Sequence, residues 1–129
     1  GNHTVDRAYI LQHLDDDRVS LLDARSLNEY TGKKKFANRG GHIPGAKRYE
    51  WTDAMDRSNN LRLLPADIIQ QQLDRLGITK DKEVIVYCQT HHRSAFSYVM
   101  LKALGYEDVK GYPGSWSDWG NRDDTPVEQ

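Results

Sequence analysis

Apolar residues recur along the chain with two different spacings, and the alternation between them lays out the elements. Val5, Ala8, Ile10, Leu11 and Leu14 form a broad apolar stripe, which predicts a helix capped by Thr4 and running to about Leu14. Asp15 to Asp17 follow, and acidic residues there oppose the helix dipole and mark the exit. Val19 to Asp23 reads as a short buried strand, and the β-branched run Val84 to Tyr87, ending at Cys88, is the clearest strand in the chain. Pro65 opens a helical pattern in which Ile69, Leu73 and Leu76 recur at helix spacing. Gly77 sits where a C-terminal cap belongs, so this helix is expected to end at Leu76. A second helix is predicted from Ser94, with Phe96, Val99, Met100, Ala103 and Leu104 on one apolar face and Gly105 closing it. Asp108 to Gly111 is a further short strand, and Lys33 to Gly41 is a polar, glycine-containing loop. Strands separated by helices predict an α/β layered fold with parallel pairing.

Composition narrows the function classes. The chain has 129 residues, 37% of them hydrophobic, which predicts one domain over residues 1–129 with a core that needs no covalent staples. Its 18 basic and 19 acidic residues leave a net charge of −1, so neither nucleic acid nor a membrane surface is an expected partner. The basic run Lys33, Lys34, Lys35 reads as a solvated loop, and Trp51, Trp116 and Trp119 as core or lid packing rather than a platform for bases. The N-terminus lacks a signal-peptide core, and Cys88, the single cysteine, has no intrachain partner; a reducing, cytoplasmic location is the expectation.

The chemistry-bearing segment runs from Val84 to Phe96. Cys88 follows a buried strand and precedes a helix after a loop of five residues: Gln89, Thr90, His91, His92 and Arg93. At the C-terminal edge of a parallel sheet the next helix points its unsatisfied N–H groups back at such a loop, so a thiolate there is favoured by the helix end and by Arg93. A free cysteine is often only a small buried hydrophobe, but packing alone needs no polar loop with two histidines and an arginine. Cys88, His91 and His92 are all possible zinc ligands, yet adjacent histidines on a tight loop do not converge on one ion, and no metal or other cofactor is expected. Cysteine phosphatases of the protein-tyrosine type carry five residues between thiolate and arginine, whereas four separate Cys88 from Arg93 here. The narrower cradle favours attack on a sulfur atom over encirclement of a phosphate. A cysteine phosphatase or arsenate reductase on the same scaffold, or a non-enzymatic binding module, remains an alternative.

Four segments together resemble the rhodanese family of sulfurtransferases: Leu22 to Arg25, Gly41 to Ala46, the loop Cys88 to Arg93, and Gly111 to Trp119. The last is similar to the C-terminal signature of thiosulfate and mercaptopyruvate sulfurtransferases. The resemblance implies a three-layer α/β domain with a five-stranded parallel sheet flanked by helices. It also implies transfer of sulfane sulfur from thiosulfate or a related donor, such as 3-mercaptopyruvate, to a thiol or cyanide through a Cys88 persulfide. On this resemblance Cys88 and Arg93 are the catalytic candidates. Gln89, Thr90, His91, His92 and Ser94 form the substrate-binding loop, while Asp23 and Arg25 brace it. Two departures stand out. The residues directly after the cysteine, Gln89 and Thr90, are neutral, and Glu29 lies where vertebrate-type two-domain enzymes place an arginine. The C-terminal signature suggests a second rhodanese-like domain upstream, with this chain as the catalytic half.

Overall fold

The computed structural model describes residues 3–60, 62–90 and 92–129. Its elements, in chain order, are α1 (Arg7–Gln12), β1 (Val19–Asp23), α2 (Leu27–Thr31), β2 (Lys47–Arg48), a 3-10 turn at Trp51–Ala54, β3 (Met55–Asp56), β4 (Arg62–Leu63), α3 (Ala66–Arg75), β5 (Glu83–Tyr87), α4 (Arg93–Ala103), β6 (Val109–Gly111) and α5 (Ser115–Trp119). The strands β2-β1-β5-β6 form one sheet in that order, all parallel, and β3 and β4 pair antiparallel as a separate hairpin. No helix among the described residues is long and apolar enough to cross a membrane.

Two layers of apolar side chains cover the sheet. Val84 and Val86 face one layer with Leu22, Leu73, Ile78 and Leu101, while Ile85 and Tyr87 face the other with Ile10, Ile43, Trp116 and Trp119. The alternation along β5 is the period of two that a strand buried on both faces requires.

The sheet has four strands rather than the five expected. The fifth place, beside β6, is occupied by a single parallel bridge between Thr4 and Gly111. Gly111 N–H donates to the His3 carbonyl at 2.8 Å and Val5 N–H to the Gly111 carbonyl at 2.9 Å. Thr4 is therefore not the cap of α1. Asp6 takes that role, its carboxylate accepting from Tyr9 N–H, and the helix ends at Gln12.

The second correction concerns α4. Phe96 and Val99, placed on its inner face by spacing, are exposed, and the buried positions are Ser94, Ser97, Met100 and Leu101. The small Ser94 and Ser97 allow the helix to lie close to the sheet near the cysteine, where a Phe would be too large.

Candidate active site

β5 is an inner strand, paired on both edges, and its C-terminal end presents Cys88. The end of β1 runs beside it, with Asp23 opposite Tyr87 and Ala24 N–H donating to the Tyr87 carbonyl at 2.9 Å. This register brings the Asp23 to Ser26 segment and the start of α2 against the cysteine loop.

From the other side, α5 holds the stem of the loop. Trp116 N–H donates to the Cys88 carbonyl at 2.8 Å and Ser117 N–H to the Gln89 carbonyl at 3.0 Å. Ser115 Oγ accepts from Cys88 N–H at 3.3 Å and donates to the Tyr112 carbonyl at 2.9 Å. The Ser115 backbone sits at φ 53°, in the left-handed region that residues other than glycine, asparagine and aspartate seldom adopt. A strained conformation persists where the surroundings over-determine it, as the buried loop stem does here.

Cys88 is only 1% exposed, and its Sγ accepts a hydrogen bond from Ser94 Oγ at 3.4 Å. Among the described residues no side chain caps α4, whose N-cap residue is His92, the last of the loop before the helix. Thr90 and His92 are exposed, Gln89 is half-buried, and His91 lies outside the described residues. The Gln89 Oε1 is buried and without a hydrogen-bond partner among the described residues.

Arg93 does not extend freely into the loop. Its Nη1 and Nη2 donate to Glu29 Oε1 and Oε2 at 2.6 and 2.9 Å, a bidentate pair. Glu29 is buried and also completes the capping box of α2, where Ser26 Oγ donates to Oε1 at 2.9 Å and Ser26 N–H at 3.3 Å. Burial pushes the Glu29 carboxyl up, but the bonds from Arg93 and Ser26 outweigh it and hold the group at about 2. Arg93 is raised above its ordinary value, chiefly by the bond to Glu29, with smaller contributions from the charges of Cys88 and Glu50.

Beneath this layer lies a second ion pair. Arg25 Nη2 donates to Asp23 Oδ2 at 2.7 Å and Nε to Oδ1 at 3.0 Å, and Nη2 also reaches the Gly41 carbonyl at 2.5 Å. The guanidinium lies over Trp116 and Tyr87, 4.7 and 5.7 Å from the ring centroids. Gly41 is required here, because at its φ of 121° an added Cβ would meet the Glu128 carbonyl at 2.3 Å. His42, next in the turn, stacks on Tyr30 at 3.7 Å and shares a hydrogen bond with the Tyr30 carbonyl, so this glycine-histidine turn serves the frame.

The structure thus sets Cys88, Gln89, Thr90 and His92 in the loop and Arg93 and Ser94 in the first turn of α4, with Asp23 and Arg25 at the end of the neighbouring strand. Sequence reasoning missed Glu29 as the partner of Arg93, although the Ser26-x-x-Glu29 spacing of a capping box was readable. Ser115 as a support of the cysteine backbone had no sequence signal. Among the described residues no three His, Cys, Asp or Glu side chains cluster as metal ligands would.

Comparison with known proteins places this geometry. The rhodanese-like domain family matches residues 6–122. The thiosulfate sulfurtransferase of Azotobacter vinelandii is 54% identical over 125 residues, covering 97% of this chain and 45% of that protein. The thiosulfate sulfurtransferase of Pseudomonas aeruginosa is 54% identical over 122 residues, covering 95% and 44%. A sulfur carrier protein of Thermus thermophilus is 38% identical over 94% of this chain and 47% of its own length. The chain therefore spans about half the length of the curated relatives it matches. Among solved structures, an anaerobic ergothioneine biosynthesis enzyme from Chlorobium limicola superposes with a TM-score of 0.88 at 23% identity, over 99% of this chain and 32% of that one, a likeness of fold. With nearly its whole length matched in both sequence and fold, the chain belongs to the rhodanese-like domain family.

Proposed function

We propose that the chain is a catalytic sulfurtransferase domain that moves sulfane sulfur through Cys88. The observation that carries this reading is the placement of Cys88 at the C-terminal end of an inner strand, against the first turn of α4, with Ser94 Oγ 3.4 Å from its sulfur. The thiosulfate sulfurtransferases at 54% identity support the same chemistry.

In the first half-reaction the Cys88 thiolate attacks the outer sulfur of thiosulfate. The new S–S bond forms as the bond to the sulfonate sulfur breaks, and sulfite leaves with that electron pair. A Cys88 persulfide remains. In the second half-reaction an acceptor, a thiolate or cyanide, attacks the outer sulfur of the persulfide, and the Cys88 thiolate leaves. An acceptor thiol becomes a persulfide, and cyanide becomes thiocyanate. Backbone N–H groups of the loop and of the first turn of α4 hold the persulfide's terminal charge. Gln89, Thr90 and His92 line the donor's approach, and Ser94 donates to the reacting sulfur. Arg93, paired with Glu29, closes the far end of the loop, while Asp23 and Arg25 hold the frame below.

3-Mercaptopyruvate is a second donor of the same class. Because the chain spans about half the length of its relatives, we place a second rhodanese-like domain beside this one in the working protein. A cytoplasmic location suits a lone unpaired thiol.

The test is intact mass spectrometry after incubation with thiosulfate and, separately, with 3-mercaptopyruvate. The expected result is one added sulfur, removed by cyanide or a thiol and absent in Cys88→Ser. Sulfur uptake by the serine variant would overturn the mechanism, and Cys88-dependent hydrolysis of an aryl phosphate without sulfur uptake would favour the phosphatase chemistry.

A further inference from the structure

The Glu29–Arg93 pair has a geometry that an anion receptor would not need. Both terminal nitrogens of Arg93 are turned onto one carboxylate, at 2.6 and 2.9 Å, across 64 positions of sequence. That carboxylate is itself fixed. Glu29 sits in the first turn of α2, buried, and receives the Ser26 hydroxyl and N–H. Arg93 is the first residue of α4, five positions after Cys88 in the sequence. The pair therefore ties α2 to the end of the cysteine loop.

The charge consequence is as definite as the mechanical one. A bidentate carboxylate cancels most of the field that a guanidinium projects beyond it. A donor arriving at Cys88 meets a nearly neutral pair where a free arginine would present a full positive charge. Glu50 adds a second negative charge within range of Arg93.

On the reading of this domain as a sulfurtransferase, we infer that Glu29 is a positioning residue that anchors the cysteine loop through Arg93 and lowers its preference for doubly charged sulfur donors. Arg93 then acts mainly as a tether, and donor recognition falls to the loop's backbone N–H groups. These serve a singly charged sulfur donor nearly as well as a dianion.

The two parts separate experimentally when thiosulfate, a dianion, is compared with an alkyl thiosulfonate, a monoanion whose sulfane sulfur undergoes the same displacement. Glu29→Gln keeps the size and a hydrogen bond but leaves the Arg93 charge uncompensated. Its kcat is expected to fall with both donors, reflecting the loosened loop. The ratio of kcat/KM for thiosulfate to that for the thiosulfonate is expected to rise roughly fivefold, through a lower KM for the dianion. Glu29→Asp, which keeps the charge but shortens the tether, should lower kcat and leave the ratio as in the wild type. A merely structural Glu29 would lower kcat without moving the ratio, and that result overturns the inference.

The wild-type chain supplies a measure that needs no variant. Its donor ratio should change little between low and physiological ionic strength, and a steep fall with salt would identify Arg93 as an unpaired receptor and overturn the inference. Failure of the wild type to take sulfur from either donor would instead remove the sulfurtransferase reading, and this inference with it.

Discussion

Two arginine–carboxylate pairs lie within one short stretch of this molecule, and the contrast between them separates frame from site. Asp23 and Arg25 are neighbours in sequence, with side chains 0% and 2% exposed, and the guanidinium is enclosed by Trp116, Tyr87 and the Gly41 carbonyl. Glu29 and Arg93 lie 64 positions apart in sequence, and the arginine side chain stays 32% exposed against 5% for its partner. The chemistry of the contact is the same in both. What differs is the wall around it: the first pair has no face left for another molecule, whereas the second keeps its arginine partly exposed, five positions after the cysteine. An ion pair enclosed on every side can only hold structure. One that is half open also sets the charge that an incoming donor meets.

The largest expected effect comes from breaking the enclosed pair. Asp23→Ala leaves the Arg25 charge buried among aromatic rings without its carboxylate. Removing one partner of such a pair costs about 3–5 kcal/mol, against the few-fold changes in donor selectivity expected at Glu29. Urea or thermal unfolding of the variant reads this directly. A loss below about 1 kcal/mol would mean that water reaches Arg25, and the contrast with the Glu29 pair would disappear.

The open pair should reveal itself through pH. Glu29 is held at about 2 in the folded chain, against an ordinary 4.5. A carboxyl depressed by folding contributes stability that is complete above its unfolded value and is lost as pH falls through its folded one. The wild type should therefore exceed Glu29→Gln in stability by at most about 3 kcal/mol near neutrality. That margin should shrink as the pH drops from 4.5 towards 2, because protonated Glu29 is then close to glutamine in charge and shape. Unfolding free energies of both proteins across this range test the assignment, and a margin independent of pH would show that the pair contributes nothing by its charge.

Much of this frame was legible in the sequence, and its failures have physical causes. β1 falls where the apolar run Val19–Asp23 predicted it, and α3 lies within its predicted limits, starting after Pro65 and closing at Leu76 before Gly77. The cysteine loop was visible because polar, chemically capable residues interrupt a strand-to-helix passage. α2 and α5 span five residues each and β2 two, too short to show any periodicity. The buried face of α4 was misread because Ser94 and Ser97 count as polar in any pattern, yet their small size is what lets the helix approach the sheet. At the N-terminus, Thr4 and Asp6 are both good caps, and pairing of the preceding segment with β6 decides for Asp6. The left-handed backbone at Ser115 leaves no trace in residue type at all.

The smallest expected effect sharpens the contrast most finely. Ser26 donates to the Glu29 carboxylate and accepts from Glu29 N–H at 3.3 Å, so it both caps α2 and braces the partner of Arg93. Ser26→Ala removes the cap but leaves the bidentate contact with Arg93 in place, and a lost cap of this kind costs about 1 kcal/mol. For a chain of this length that corresponds to a fall in Tm of roughly 4 °C. If Ser26→Ala proves as costly as Glu29→Gln, the carboxylate serves α2 rather than Arg93. The two ion pairs would then differ only in depth. A loss near 1 kcal/mol, well below that of Glu29→Gln, leaves most of the Glu29 contribution in the contact that crosses from α2 to the cysteine loop.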